Sequence, residues 1–154
     1  MGYLSVDELL IIDSIKADSK ITGVNYYRWH NFAVSKTGYV FVDKIEFEFN
    51  NLPPILLEIN ETDDGISIKT VYDIAAETKE IEANFNGQIK ITQKNEIKNE
   101  FWRCAINQPL KGIEAQKMEQ FFANDAVLFN FGDEKRIINF NHDIGLLVDY
   151  YEED

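Results

Sequence analysis

His30, His142 and Cys104 are the residues best suited to metal binding or nucleophilic catalysis, and their spacing organises neither. The histidines stand 112 positions apart (30 to 142) and form no local ligand pair. Cys104 becomes an activated nucleophile only with a base beside it in space. It follows Phe101-Trp102-Arg103 in a stretch that reads as a strand, where a free cysteine is a core residue. Gly-x-Ser-x-Gly, His-Glu-x-x-His, Cys-x-x-Cys and a glycine-rich phosphate loop ending in Lys-Ser or Lys-Thr are all missing. The 27 acidic residues supply many carboxylate pairs of the kind glycosidases use, and spacing singles out none. Asp63-Asp64-Gly65 and Asn141-His142-Asp143 offer oxygen ligands but lack the spacing and bidentate Glu of a calcium loop. Asp and Asn are also what tight turns select. The expectation is a chain with no catalytic residue, no cofactor and no metal, hence not an enzyme.

Charge says more than motifs. Against 27 acids stand 15 Lys and Arg, giving a formal net charge of −12. Nucleic acids and anionic membranes are held by Lys and Arg, so both are poor partners. A basic protein is the partner class such a surface steers. Tyr26, Tyr27, Arg28 and Trp29 have the composition of an interface hot spot and equally that of a core. The segment most plainly free for a partner is the terminus, Asp149, Tyr150, Tyr151, Glu152 and Glu153. Arg28 and Arg103, each beside aromatics, are expected to pair with neighbouring acids. Homo-oligomerisation through a sheet edge, at 127–131 or 146–151, is a further expectation.

The scaffold carrying these residues reads as mainly β within an α+β class, in one domain spanning 1–154. A pattern recurs in order. Ile15-Lys16 and Lys20 return as Ile89-Lys90 and Lys94, Tyr26-Tyr27-Arg28 as Phe101-Trp102-Arg103, and Gly38 as Gly112. Phe47-Glu48-Phe49 returns as Phe129-Asn130-Phe131, 56–60 as 137–141, and 65–68 as 145–148. The repeat units are about 9–73 and 80–151, each an antiparallel β-meander, as in a duplicated structural unit. They either pack face to face or extend one curved sheet.

Within this frame, 39–49 is a long half-buried strand with Ile45, Phe47 and Phe49 on one face and Glu46 and Glu48 on the other. Alternation on both sides of Asn86-Gly87 predicts a hairpin. Helix formers and an apolar stripe at 113, 118, 121 and 122 predict a helix over 113–122. Ser5-Val6-Asp7-Glu8 has the form of a capping box, so a short N-terminal helix competes with a buried strand at 9–12. The longest apolar run near the N-terminus is too short to cross a membrane, and the single Cys permits no internal disulfide. A cytoplasmic location is expected.

The function expected from these observations is a non-enzymatic, acidic interaction or inhibitor-type protein that binds a macromolecular partner. In outline the chain resembles small acidic immunity proteins, on no specific motif. The alternative is a small-molecule binder or enzyme with a pocket between the two repeats.

Overall fold

The computed structural model describes residues 2–33 and 39–152. Gly38 of the repeat, and Glu153 of the terminal segment, lie outside the described residues. The chain is mainly β, with nine strands and three helices among the described residues.

Ser5 starts helix α1 (Val6–Ser14). Its hydroxyl accepts from the Glu8 N–H while a Glu8 oxygen accepts from the Ser5 N–H, a reciprocal capping box. That box decides 9–12 in favour of helix. The other Glu8 oxygen accepts from the Ile68 N–H at 2.7 Å, pinning the helix to the sheet. The strands are β1 (Ile21–Asn31), β2 (Tyr39–Phe49), β3 (Ile55–Ile59) and β4 (Ile66–Lys69), then β5 (Ile89–Asn95). After these come β6 (Gly112–Met118), β7 (Phe121–Asn130), β8 (Lys135–Asn141) and β9 (Gly145–Tyr150). Helix α2 (Ile74–Asn84) precedes β5, and the one-turn α3 (Cys104–Asn107) precedes β6.

All nine strands form one sheet in the order β4-β3-β2-β9-β8-β7-β6, with β1 along the other edge of β2 and β5 outside β1. Of the two arrangements left open by the sequence, this is the single extended sheet. Two antiparallel meanders, β2-β3-β4 and β9-β8-β7, lie side by side and meet through one parallel bridge, Val42 to Gly145. Segments 56–60 and 137–141 of the repeat run through β3 and β8, and 65–68 and 145–148 through β4 and β9. Tyr26-Tyr27-Arg28 lies in β1, whereas Phe101-Trp102-Arg103 forms the turn entering α3. β7 is paired on both sides, so 127–131 is an interior strand and not a free edge.

Three local expectations are corrected. Residues 113–122 form no helix but the β6–β7 hairpin, turning at Glu119, whose φ is 57°. The same residues also alternate: Ile113 is buried, Glu114 exposed, Ala115 half-buried, Gln116 exposed. Pairing with β7 decides between the two periods. Asn86 and Gly87 do take the left-handed φ expected of them, 52° and 78°, but they leave helix α2 rather than joining two strands. Ile74, Thr78, Ile81 and Phe85 recur at helical spacing, and the Asp73 side chain caps the helix by accepting from the Ala76 N–H. Cys104 heads α3 instead of lying in a strand, and it is half-buried.

The sheet curls around an apolar core, and α1 packs against both β4 and β6, the two ends of the strand order. Phe47, Trp102 and Phe129 meet at its centre, with ring centroids 4.5–5.5 Å apart. Trp102 arrives on the segment crossing from β5 to β6, and its indole N–H donates to the Tyr26 hydroxyl at 2.7 Å. The junction between the meanders depends on Gly145. Its φ is 96°, and a Cβ there would stand 2.7 Å from the Val42 carbonyl oxygen. Gly145→Ala is expected to cost about 1–3 kcal/mol in backbone strain, with the steric clash in addition. Urea denaturation of the variant measures this; an unchanged midpoint would show that the junction tolerates a side chain.

Candidate functional site

The outward face of β2 carries Glu46 and Glu48, as its alternation requires, while Ile45, Phe47 and Phe49 point into the core. β1 brings Asn25 opposite Glu46 and Tyr27 opposite Lys44. The buried Asn25 amide nitrogen donates to Glu46 Oε1 at 2.9 Å and to Glu48 Oε1 at 2.7 Å, so one side chain draws the two carboxylates together. The Tyr72 hydroxyl, just before α2, donates to Glu46 Oε2 at 2.7 Å. No Lys, Arg or His nitrogen comes within 4.0 Å of either carboxylate among the described residues. Two anions are held in place by neutral donors alone.

Beside them lies a cluster that is compensated. Lys44, buried, contacts Asp43 at 2.6 Å, Glu77 of α2 at 3.1 Å and the buried Glu58 at 3.4 Å. Lys69 of β4 also pairs with Glu58. Burial disfavours the Lys44 charge, but Asp43, Glu77 and Glu58 outweigh it and raise its pKa above the usual lysine value. Burial is the main cause that raises the Asp43 pKa, with Lys44 opposing it. Around α2, two cations thus face Asp43, Glu58 and Glu77, with Glu46 and Glu48 left over.

The same surroundings hold tyrosines neutral. Burial, then the charges of Glu46 and Glu48, push Tyr27 up to about 12. Burial and the hydrogen bond to Glu46 raise Tyr72 further, and burial raises Tyr26 despite its bond with Trp102. A folded-state pKa above the unfolded value means that the native state keeps its proton longer. Stability from these groups is therefore full below about pH 10 and lost as the pH climbs past it. Tyrosinate absorbance is expected to rise in two phases, the late one coinciding with loss of near-ultraviolet circular dichroism. A single phase near the ordinary tyrosine value would contradict this environment.

The acidic face continues into aromatic surface. Trp29 pairs with Phe41 across β1 and β2, ring centroids 5.8 Å apart, and meets Phe85 edge-on at 6.3 Å. Phe85 is 48 % exposed, and Tyr39, 5.8 Å from Phe41, is 44 % exposed.

The residues singled out from the sequence are dispersed. Tyr150 stacks under Arg136 at 4.7 Å and against Phe101 at 4.9 Å, and its hydroxyl donates to Glu100. Asp149 accepts from the Tyr150 N–H, and Tyr151 and Glu152 are exposed. Arg28 pairs with Glu96 at 3.6 Å and lies over the Tyr26 ring, while Arg103 is exposed at the start of α3. His30 bonds Thr92. His142 stands 3.4 Å from Asp63, so the two Asp-rich turns are neighbours. In each turn an Asn side-chain oxygen caps backbone N–H groups: Asn60 takes that of Asp64, and Asn141 takes those of Asp143 and Ile144. Burial raises the Cys104 pKa, which disfavours the nucleophilic thiolate.

The sequence placed Glu46 and Glu48 on one strand face but gave no sign that Asn25 and Tyr72 would join them, since those contacts span 21 to 26 positions. No protein family, curated protein or solved structure matches the chain.

Proposed function

We propose that this is a non-enzymatic acidic interaction protein, inhibitor-like or immunity-like in type, that binds a basic protein through the outer face of β1 and β2. The observation carrying this reading is the Glu46–Glu48 pair: two fixed carboxylates with no cationic nitrogen within 4.0 Å among the described residues, bordered by Tyr27 and Tyr72, with Trp29 further along β1. Uncompensated surface charge of one sign speeds capture of the opposite sign and rejects wrong partners. Aromatic residues beside it supply the apolar anchor on which interface affinity concentrates. The alternative, a ligand pocket between the repeats, gains little from the crevice at their junction. Lined by Arg28, Val40, Phe41, Val42, Ile144, Leu146 and Leu147, it measures about 160 Å³, against roughly 300–1,000 Å³ for ligand sites in general. None of the three helices is long and apolar enough to cross a membrane.

Affinity capture from native lysate, followed by titration with the purified captured protein, tests the proposal. The partner is expected to be basic, with affinity falling roughly tenfold or more between about 0.05 M and 0.5 M salt as screening shortens. Salt-independent capture, or an acidic partner, would remove it.

A further inference from the structure

Helix α2 is tied to the strands beneath it by Glu77, which pairs with Lys44 of β2, and by Glu82, which accepts from the Ile91 N–H of β5, and not by a fully buried apolar stripe. None of its eleven residues is buried. Between it and strands β1 and β5 runs an open groove of about 360 Å³, lined by Tyr27, Ile74, Ala75, Thr78, Ile91 and Gln93. The walls are largely apolar. At one side Tyr27 leads to Glu46 and Glu48, and past Ile91 the surface continues to Trp29, its cross-strand neighbour, and to Phe85.

Apolar walls ending at carboxylates with no cationic partner among the described residues match a side chain with an aliphatic stem and a cationic head. Arginine fits better than lysine. Glu46 Oε1 and Glu48 Oε1 converge on one Asn25 nitrogen, at 2.9 and 2.7 Å, and a guanidinium presents its donors as a planar fork that can serve two such oxygens. Tyr27 adds an aromatic face on which guanidinium stacks. The apolar surface running on to Trp29 and Phe85 is more than a free amine would cover and suits an extended peptide around the cation.

Resting on the function proposed above, we infer that the groove beneath α2 receives an arginine side chain of the partner protein, its stem against Ile74, Ile91 and Tyr27 and its guanidinium on Glu46 and Glu48. The partner segment then lies along β1, with an apolar neighbour of the arginine on Trp29 and Phe85.

The experiment titrates the isotope-labelled full chain with a short leucine- and glycine-containing peptide bearing one arginine, and with the same peptide bearing citrulline, its neutral isostere. Arginine is expected to bind roughly tenfold more tightly and to shift the Ile74 and Ile91 methyl and Tyr27 ring resonances. Glu46→Gln/Glu48→Gln should bring arginine down to the citrulline level. Thr78→Trp, which fills the groove and leaves every charge in place, should weaken both peptides with the rest of the spectrum unchanged. Equal binding of the two peptides would overturn the inference. So would shifts centred on Asp149 to Glu152 with Ile74 and Ile91 unmoved, a result that would leave capture of a basic partner standing but move it from β1 and β2 to the terminal segment. A free polyamine that displaced the peptide and outbound it would assign the groove to a small cation instead. Failure of every basic protein to bind, at any salt, would end the broader reading as well.

Discussion

Trp102→Ala is expected to destabilise the protein by about 4 kcal/mol, within the range for truncating a fully buried large aromatic side chain. Trp102 has no exposed surface and packs edge-on against Phe47 and Phe129, one from each meander. Alanine would leave a void between the two halves of the sheet. It would also strand the Tyr26 hydroxyl, whose indole partner lies 2.7 Å away, and an unmet buried polar group adds to the cost. For a chain of this length each kcal/mol moves the melting temperature by roughly 2–4 °C, so the midpoint should fall by about 8–16 °C. Trp102→Phe separates the contributions: it keeps most of the volume, loses the hydrogen bond and should cost about 1–3 kcal/mol. If alanine and phenylalanine cost the same, packing at the centre of the core has been misjudged.

The second large effect is electrostatic. Lys44→Met is expected to cost about 3 kcal/mol, near the low end for breaking a buried ion pair, because Lys69 still faces Glu58. Its pH dependence identifies the cause. Without Lys44, nothing offsets the burial that already raises the Asp43 pKa above its ordinary value. A carboxyl with a raised folded pKa binds its proton more tightly in the native state, so stability increases as the pH falls through that pKa. The variant should therefore recover part of its deficit in acid, measured by urea denaturation at neutral and acidic pH. A deficit that stays constant with pH would attribute the loss to packing of the lysine stem.

How much of this was legible beforehand depends on the range of the forces involved. The capping box at Ser5, the two faces of β2 and the β7-β8-β9 meander were readable because alternation and local hydrogen bonding act between near neighbours. Asn86-Gly87 gave the right backbone conformation and the wrong element, since a left-handed pair ends a helix as well as it turns a hairpin. Residues 113–122 satisfied two periods at once, and only pairing with β7 chose between them. Cys104 was placed in the core by residue type and by a strand reading of its segment, whereas its position at the head of α3 depends on the turn that brings Trp102 inward.

The site was legible only as a strand face. Glu46 and Glu48 were recognisably outward, but the chain holds 27 acids, and what sets these two apart is that one Asn25 amide draws them together with no Lys, Arg or His nitrogen within 4.0 Å among the described residues. That is a three-dimensional fact. Asp43 and Glu58, on the same and the next strand, are equally acidic and fully engaged with Lys44 and Lys69.

Calorimetric titration of the captured partner against two variants with equal charge change tests the central claim most directly. Glu46→Gln/Glu48→Gln and Asp149→Asn/Glu152→Gln each remove two negative charges, from the β1–β2 face and from the terminal segment respectively. Placement of the interface on β1 and β2 predicts that the first pair weakens binding by roughly tenfold or more, while the second changes it by about twofold or less. Equal losses would mean that only net charge matters, and a larger loss from the second pair would move the interface to the C-terminal segment.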